Sequence, residues 1–175
     1  MRCRIDPDKD VDGLHPVNVG RLWTGRPALA PATPRGLIAL LDHYDVPIEG
    51  RHVVIVGRSN LVGRPAAALF QHRNATVTMA HSRTRDLAAV VRQGDIVVAA
   101  AGRARMITKA MVKPGAAVLD VGMTLEDAVI VGDVSKDVEE VAGHLTPMPG
   151  GTGLMTVAMV IDTTVEAAVR RRGSG

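Results

Sequence analysis

Aromatic side chains are nearly absent from this 175-residue sequence: Trp23, Tyr44 and Phe70 are the only three. Surfaces that grip nucleic acid through unpaired bases need rings to stack on, so no such surface is expected. Cysteine is as scarce. Cys3 stands alone, which excludes an internal disulfide framework, fits a reducing compartment and is too isolated for a metal site. No apolar run approaches the ~20 residues that cross a bilayer. The opening Met1-Arg2-Cys3-Arg4-Ile5-Asp6 has no apolar stretch behind its charges, so a signal peptide is not expected either. Neither sign of charge dominates: the net charge is +3 and the charged residues are scattered. There is no internal repeat and no low-complexity segment. These absences together predict a cytoplasmic protein that binds neither nucleic acid nor membrane.

What is present is a core and a corner. Hydrophobic residues make up 46% of the chain, enough for one domain of ordinary size. The run His52-Val53-Val54-Ile55-Val56 reads as a fully buried strand, being apolar and β-branched without alternation. Gly57-Arg58-Ser59 follows, then Gly63 and the apolar helical stretch Ala66-Ala67-Ala68-Leu69-Phe70. A strand that turns sharply into a helix aims the helix's N–H groups at whatever lies above the turn, and phosphate is the usual occupant.

The rest alternates in the same way. Strands are predicted at 52–57, 75–80, 95–100 and 116–121, with a short one near 129–131. Helices are predicted at 63–73, 84–93 and 135–142. A helix capped by Thr33, with Pro34 at its first position, runs to about Tyr44. Residues 1–32 read as loop. A long apolar helix covers roughly 154–171, its Arg170-Arg171-Arg172 suited to the negative end of a helix. Strands separated by helices imply an α/β fold of Rossmann type: an open parallel sheet with helices on both faces.

The glycine turn departs from the common Gly-x-Gly-x-x-Gly dinucleotide fingerprint. It reads Gly57-x-Ser59-x-x-x-Gly63. Ser59 replaces the glycine that lets backbone approach the diphosphate, so the phosphates sit farther out, within reach of its hydroxyl. Gly63 lets the helix pack closely on the strand. The alternative is a purely structural strand–turn–helix corner. The second strand separates the two. A free ribose 2′-hydroxyl usually meets an acid about 20 residues past the first glycine. Here Ala75-Thr76-Val77-Thr78-Met79-Ala80 ends in His81-Ser82-Arg83-Thr84-Arg85, with no acid before Asp86. Two arginines and two hydroxyls suit a 2′-phosphate, and Arg58 adds a third guanidinium. NADP is therefore expected rather than NAD. The competing reading is that Ser82 caps the next helix and the arginines are merely solvated.

Several blocks, in order and spacing, then resemble one family. They are Lys9-Asp10-Val11-Asp12-Gly13 with Asn18 and Gly20, Pro31-Ala32-Thr33-Pro34-Arg35-Gly36, the glycine turn with Arg64-Pro65, and the Ala75–Ser82 stretch. Asp120-Val121-Gly122-Met123, Val131-Gly132-Asp133-Val134 and Pro147-Met148-Pro149-Gly150-Gly151-Thr152-Gly153-Leu154-Met155-Thr156 complete the set. They closely resemble the bifunctional methylenetetrahydrofolate dehydrogenase/methenyltetrahydrofolate cyclohydrolase family over nearly the whole chain. The resemblance implies cofactor roles for Gly57, Arg58, Ser59 and Ser82, beside the Gly63 and Arg83 already read as cofactor-binding from the residues, a nicotinamide-side backbone contact at Met123, and a pterin-binding carboxylate at Asp12. It places Pro149, Gly150 and Gly151 between nicotinamide and folate. It also implies a homodimer. Three positions depart from the family pattern: Ala32 stands for a usual Cys, and Thr152 and Leu154 for a Val and a Pro.

The resemblance implies one further thing. Family members carry an N-terminal domain with half the folate cleft and a catalytic lysine in a Tyr-x-x-x-Lys motif. Tyr44 is followed by Ile48 at that spacing, so no lysine among Lys9, Lys109, Lys113 and Lys136 inherits the role. The expected organisation is a remnant or linker at 1–32, an NADP-binding domain at 33–150 with 33–45 as a linking helix, and a returning helix at 151–175. Segments 1–45 and 150–172 are expected to leave apolar surface exposed, or to be partly disordered, unless they pair with another chain. The reading is a folate one-carbon enzyme represented by its cofactor part, or else an inactive NADP-binding or dimerisation module. The Lys-Asp-Val-Asp-Gly and Pro-Gly-Gly blocks argue against other dehydrogenases built on the same sheet.

Overall fold

The computed structural model describes residues 4–172; Cys3 lies outside the described residues. Five parallel strands form one sheet in the order β2-β1-β3-β4-β7. They are β1 (His52–Val56), β2 (Thr76–Ala80), β3 (Ile96–Ala99), β4 (Ala117–Asp120) and β7 (His144–Leu145). The predicted strands fall where the apolar runs placed them. β7 is a strand the sequence did not announce, since two residues carry no periodicity.

The inner strands are apolar on both faces because both faces are covered. Val53 and Ile55 of β1 pack with Leu37, Leu41, Ala66 and Phe70, while Val54 and Val56 pack with Val91, Ile107 and Val138. The first face is roofed by α2 (Ala32–His43) and α3 (Gly63–His72), the second by α4 (Leu87–Val91) and 3₁₀ turns. The element expected as a helix at 135–142 is one of those turns, Lys136–Glu140. The helix expected at 84–93 shortens to α4, because Asp86 sits in the left-handed region at φ 43° and starts the helix there. β5 (Thr124–Glu126) and β6 (Val129–Val131) form a separate antiparallel hairpin.

Three expectations need correction. Residues 1–32 are not all loop: α1 spans Pro16–Trp23, with proline at its first turn and the His15 ring nitrogen accepting the Val17 N–H at 3.2 Å. Its inward residues Asn18 and Leu22 are one helical turn apart, a stripe too narrow to register as a period. Thr33 does not cap α2. The cap position is Pro31, without a side-chain bond, and the Thr33 hydroxyl instead meets that of Thr156 at 2.9 Å. Finally, α5 (Thr152–Arg172) has 21 residues and is long and apolar enough to cross a membrane by length and composition. One such helix is weak evidence for a span, and polar contacts tie this one to α2. The Arg35 guanidinium donates to Thr163, Glu166 and Asp162 at 2.7–2.8 Å.

Much of the outward face of α5 is apolar. Leu154, Val157, Ile161, Val165 and Val169 are each more than half exposed, and Trp23 of α1 is 45% exposed. The expected uncovered apolar surface on the end segments is present.

Candidate functional site

The strand order fixes where a ligand can lie. From β1 the chain runs outward to β2, then crosses back to β3 on the other side and continues to β4 and β7. The direction reverses between β1 and β3. In open parallel sheets ligands lie in the crevice beyond the carboxyl ends of the strands at such a reversal.

That crevice is floored by glycines with no room for side chains. Gly57 has φ +139°, and a Cβ on it would lie 2.1 Å from the carbonyl oxygen of Ala100, at the end of β3. A Cβ on Gly63 would lie 2.3 Å from the carbonyl oxygen of Gly57. The start of α3 thus sits against the end of β1 with backbone touching backbone. Gly57 donates to the Ala80 carbonyl at 2.8 Å, which ties the turn to β2. This is a cradle shaped by omission, and it fits an anionic group laid across the turn.

Ser59 works first on the turn itself. Its Oγ accepts the Val62 N–H at 3.0 Å and lies 3.4 Å from the Gly63 nitrogen. Its carbonyl accepts the Arg64 N–H. The hydroxyl proton is left to donate outward. Arg58 is exposed.

The loop after β2 is a compact turn. His81 donates its N–H to the Thr84 hydroxyl at 2.9 Å, Thr84 N–H returns to the His81 carbonyl at 2.8 Å, and Arg83 N–H meets the His81 ring Nδ1 at 3.2 Å. Ser82 and Arg83 are displayed at its tip, both exposed. Asp86, not Ser82, accepts from the first turn of α4, at Ala89 N–H. The competing cap role for Ser82 is thereby removed. Among the described residues, Arg58, Arg83 and Arg85 enter none of the ion pairs.

Met123 follows β4 and is 71% exposed. Pro149, Gly150 and Gly151 follow β7, at the same edge of the sheet. Gly151 is buried, and a Cβ there would lie 2.5 Å from the Pro147 carbonyl oxygen. Thr152, one of the departures from the family pattern, is 3% exposed and donates to the Asp120 carbonyl at 2.7 Å. Leu154, another, is 68% exposed.

Asp12 comes from the other end of the chain. Its neighbour Asp10 does the structural work in that motif, accepting from His15 N–H and the Asn18 amide at 2.8–2.9 Å. A Cβ on Gly13, at φ +64°, would lie 2.6 Å from the Leu29 carbonyl oxygen. Asp12 between them is exposed. A cavity of about 380 Å³, lined by Gly13, Leu14, Trp23, Asn60 and Arg64 among others, joins this loop to the glycine turn.

Sequence reasoning missed the two buried acids behind the edge. Asp120 accepts from the N–H groups of Gly122, Asp133 and Val134 at 2.9–3.0 Å. Burial pushes its pKa above the usual carboxylate range, against those hydrogen bonds. Asp133 accepts from Ala101, Gly102 and Arg103. The signal was the glycine beside each acid, in Asp120-Val121-Gly122 and Gly132-Asp133. A Cβ on Gly122 would lie 2.1 Å from Asp133 Oδ1, and one on Gly132 would lie 1.8 Å from Asp120 Oδ2. Among the described residues no group of three or more His, Cys, Asp or Glu is arranged to hold a metal ion.

A doubly wound parallel sheet, with its reversal point bare of side chains and bordered by exposed arginines, defines a dinucleotide-binding domain. Residues 31–172 match the family described as tetrahydrofolate dehydrogenase/cyclohydrolase, NAD(P)-binding domain, and the chain belongs to it. The bifunctional protein FolD of Streptococcus pyogenes serotype M5 is 52% identical over 168 residues, 95% of this chain and 59% of that protein. The crystal structure of the bifunctional FolD dehydrogenase/cyclohydrolase from Campylobacter jejuni superposes with a TM-score of 0.95 at 42% identity. It is matched over 97% of this chain and 61% of that one. The Trypanosoma brucei methylenetetrahydrofolate dehydrogenase-cyclohydrolase, solved with NADP and an inhibitor, gives 0.91 at 40% identity, over 97% of this chain and 61% of that one. This chain thus spans about three fifths of the length of these relatives.

Proposed function

We propose that this chain binds NADP and serves as the cofactor part of a folate one-carbon enzyme. The reaction is oxidation of 5,10-methylenetetrahydrofolate to the 5,10-methenyl form, followed by hydrolysis to 10-formyltetrahydrofolate. The observation that carries the cofactor choice is the exposed turn at Ser82 and Arg83, with no acid and no competing cap, beside a glycine-floored crevice. Guanidinium and hydroxyl groups there suit a 2′-phosphate, which an Asp would repel. NADP bound there would accept the hydride from the one-carbon bridge. Gly57, Ser59 and Gly63 shape the diphosphate cradle, Arg58, Ser82 and Arg83 hold the 2′-phosphate, and the Met123 backbone meets the nicotinamide side. Asp12 offers a carboxylate to the paired amino and N–H donors of the pterin edge. Pro149, Gly150 and Gly151 separate the two rings. Aligning the rings is the chain's main contribution, and positioning is worth up to ~7–11 kcal/mol in favourable cases.

The proposed organisation is a cofactor domain at 33–150, with 1–32 and 151–175 as the segments that meet a folate-binding domain. The exposed apolar residues of α5 support that division. The family likeness extends the proposal to a cytoplasmic homodimer that supplies one-carbon units for purine biosynthesis. A second reading is an inactive NADP-binding or dimerisation module, for which the exposed apolar residues of α1 and α5 offer a pairing surface. A spectrophotometric assay with methylenetetrahydrofolate and NADP separates them, since robust turnover by this chain excludes the inactive module. Thermal shift with NADP against NAD tests the cofactor. A ligand at 100 times its Kd adds about 2.7 kcal/mol, so NADP raises Tm clearly and NAD less; equal shifts refute the 2′-phosphate clamp.

A further inference from the structure

A buried carboxylate is costly unless hydrogen bonds compensate it. Asp133 is completely buried, and all its side-chain bonds go to one loop. Oδ2 accepts from Ala101 N–H at 2.6 Å and Gly102 N–H at 2.8 Å, and Oδ1 accepts from Arg103 N–H at 2.7 Å. Asp133 is itself fixed by its N–H, which donates to Asp120 Oδ1 at 2.9 Å. Three successive amides locked to one carboxylate leave the loop a single shape.

That loop begins where β3 ends. Ala100, the residue before it, is the one whose carbonyl abuts Gly57. Residues 101–103 therefore form the bank of the crevice on the β3 side, opposite the turn that carries Arg58 and Ser59. Two arginines leave this bank, and the fold treats them differently. Arg105 pairs with Glu126 at 2.7 Å. Arg103 is exposed and, among the described residues, enters no ion pair and no side-chain hydrogen bond.

We propose that Arg103 supplies a cation to the diphosphate of the bound dinucleotide, and that Asp133 is the positioning residue that holds it there. The proposal rests on the dinucleotide reading above. The strand order says which phosphate is meant. β1 lies between β2 and β3, so the turn displaying Ser82 and Arg83 is on the far side of the crevice from Arg103. The group shared by NADP and NAD, the diphosphate, is the one that crosses between the banks. The Asp133 bond fixes the backbone from which Arg103 springs, and a guanidinium meets phosphate oxygens through charge-assisted hydrogen bonds.

Isothermal titration of the chain with NADP, NAD and adenosine 2′-monophosphate tests this. Arg103→Ala weakens both dinucleotides about tenfold and leaves the monophosphate, which has no diphosphate, unchanged. Asp133→Asn weakens both dinucleotides at a temperature well below its own Tm, and adds nothing further in the Arg103→Ala background. A merely structural Asp133 would lower Tm without that coupling. The proposal is overturned if Arg103→Ala leaves both affinities unchanged, if it weakens NADP alone, or if the two substitutions add. Should Asp133→Asn fail to fold, Arg103→Lys keeps the test open: it retains part of the dinucleotide affinity if the cation is what matters, and affinity equal to Arg103→Ala contradicts that. Wild-type protein that binds neither dinucleotide refutes the underlying reading, an outcome distinct from any change confined to the variants.

Discussion

Replacing Gly57 by alanine puts a methyl group where the crevice floor is already filled by backbone. The new Cβ lies 2.1 Å from the Ala100 carbonyl oxygen and 2.7 Å from its carbon. Neither atom is the end of a flexible side chain, so β1 or β3 has to move. The backbone at φ +139° adds strain for any residue with a Cβ. Strain of this kind costs roughly 1–3 kcal/mol, and forcing a methyl into packed structure costs roughly as much again. A loss of about 2–6 kcal/mol is a large share of the 5–15 kcal/mol typical of a domain. Urea denaturation measures it directly, as a lower midpoint at unchanged slope. Any folded Gly57→Ala protein binds dinucleotide poorly, because the displaced turn no longer forms the cradle. A variant with wild-type midpoint and wild-type NADP affinity would refute the argument that this corner is shaped by backbone contact.

Three other outcomes follow from the same geometry. Arg58→Ala combined with Ser82→Ala lowers the preference for NADP over NAD by tenfold or more, at roughly 1.5–3 kcal/mol per charge-assisted bond; an unchanged ratio by titration calorimetry misplaces the clamp. Arg35→Ala removes three bonds that tie α5 to α2, so amide exchange along α5 speeds up by an amount equivalent to about 1–3 kcal/mol, while β1 and β3 are unaffected. Burial raises the pKa of Asp120 above 3.8, so its contribution is complete below that value and fades as pH rises through the raised one. Asp42 and Asp95, held low by Arg73 and Lys113, do the reverse and lose their contributions in acid below 3.8. Asp120→Asn is therefore less stable than wild type by a margin that narrows as pH rises from about 4 toward neutrality; a margin that widens contradicts the buried-carboxylate assignment.

The sheet was legible because its strands are buried on both faces. His52–Val56 and Ile96–Ala99 read as unbroken apolar runs, and a doubly wound fold makes that the right pattern for a strand. Gly57 and Gly63 were legible for a related reason: a glycine between a strand and a helix has few uses other than close approach. What escaped was either short or non-local. β7 is two residues long and exists only because the first half of β4 is there to pair with it. α1 shows two inward residues, too few to make a period. The Asp120–Asp133 pair joins residues 13 apart in sequence across a hairpin, and Asp133 reaches a loop 30 residues earlier. No window of local periodicity spans such distances. Thr33 was misread for the opposite reason. It has the right chemistry for a cap, but Thr156 on α5 offered its hydroxyl another partner.

The central claim is tested most directly by a crystal structure of this chain with NADP. The account predicts the diphosphate across the Gly57–Gly63 turn, within reach of Ser59, and the 2′-phosphate between Arg58 and the turn carrying Ser82 and Arg83. A structure with that crevice vacant and the dinucleotide bound elsewhere would contradict it.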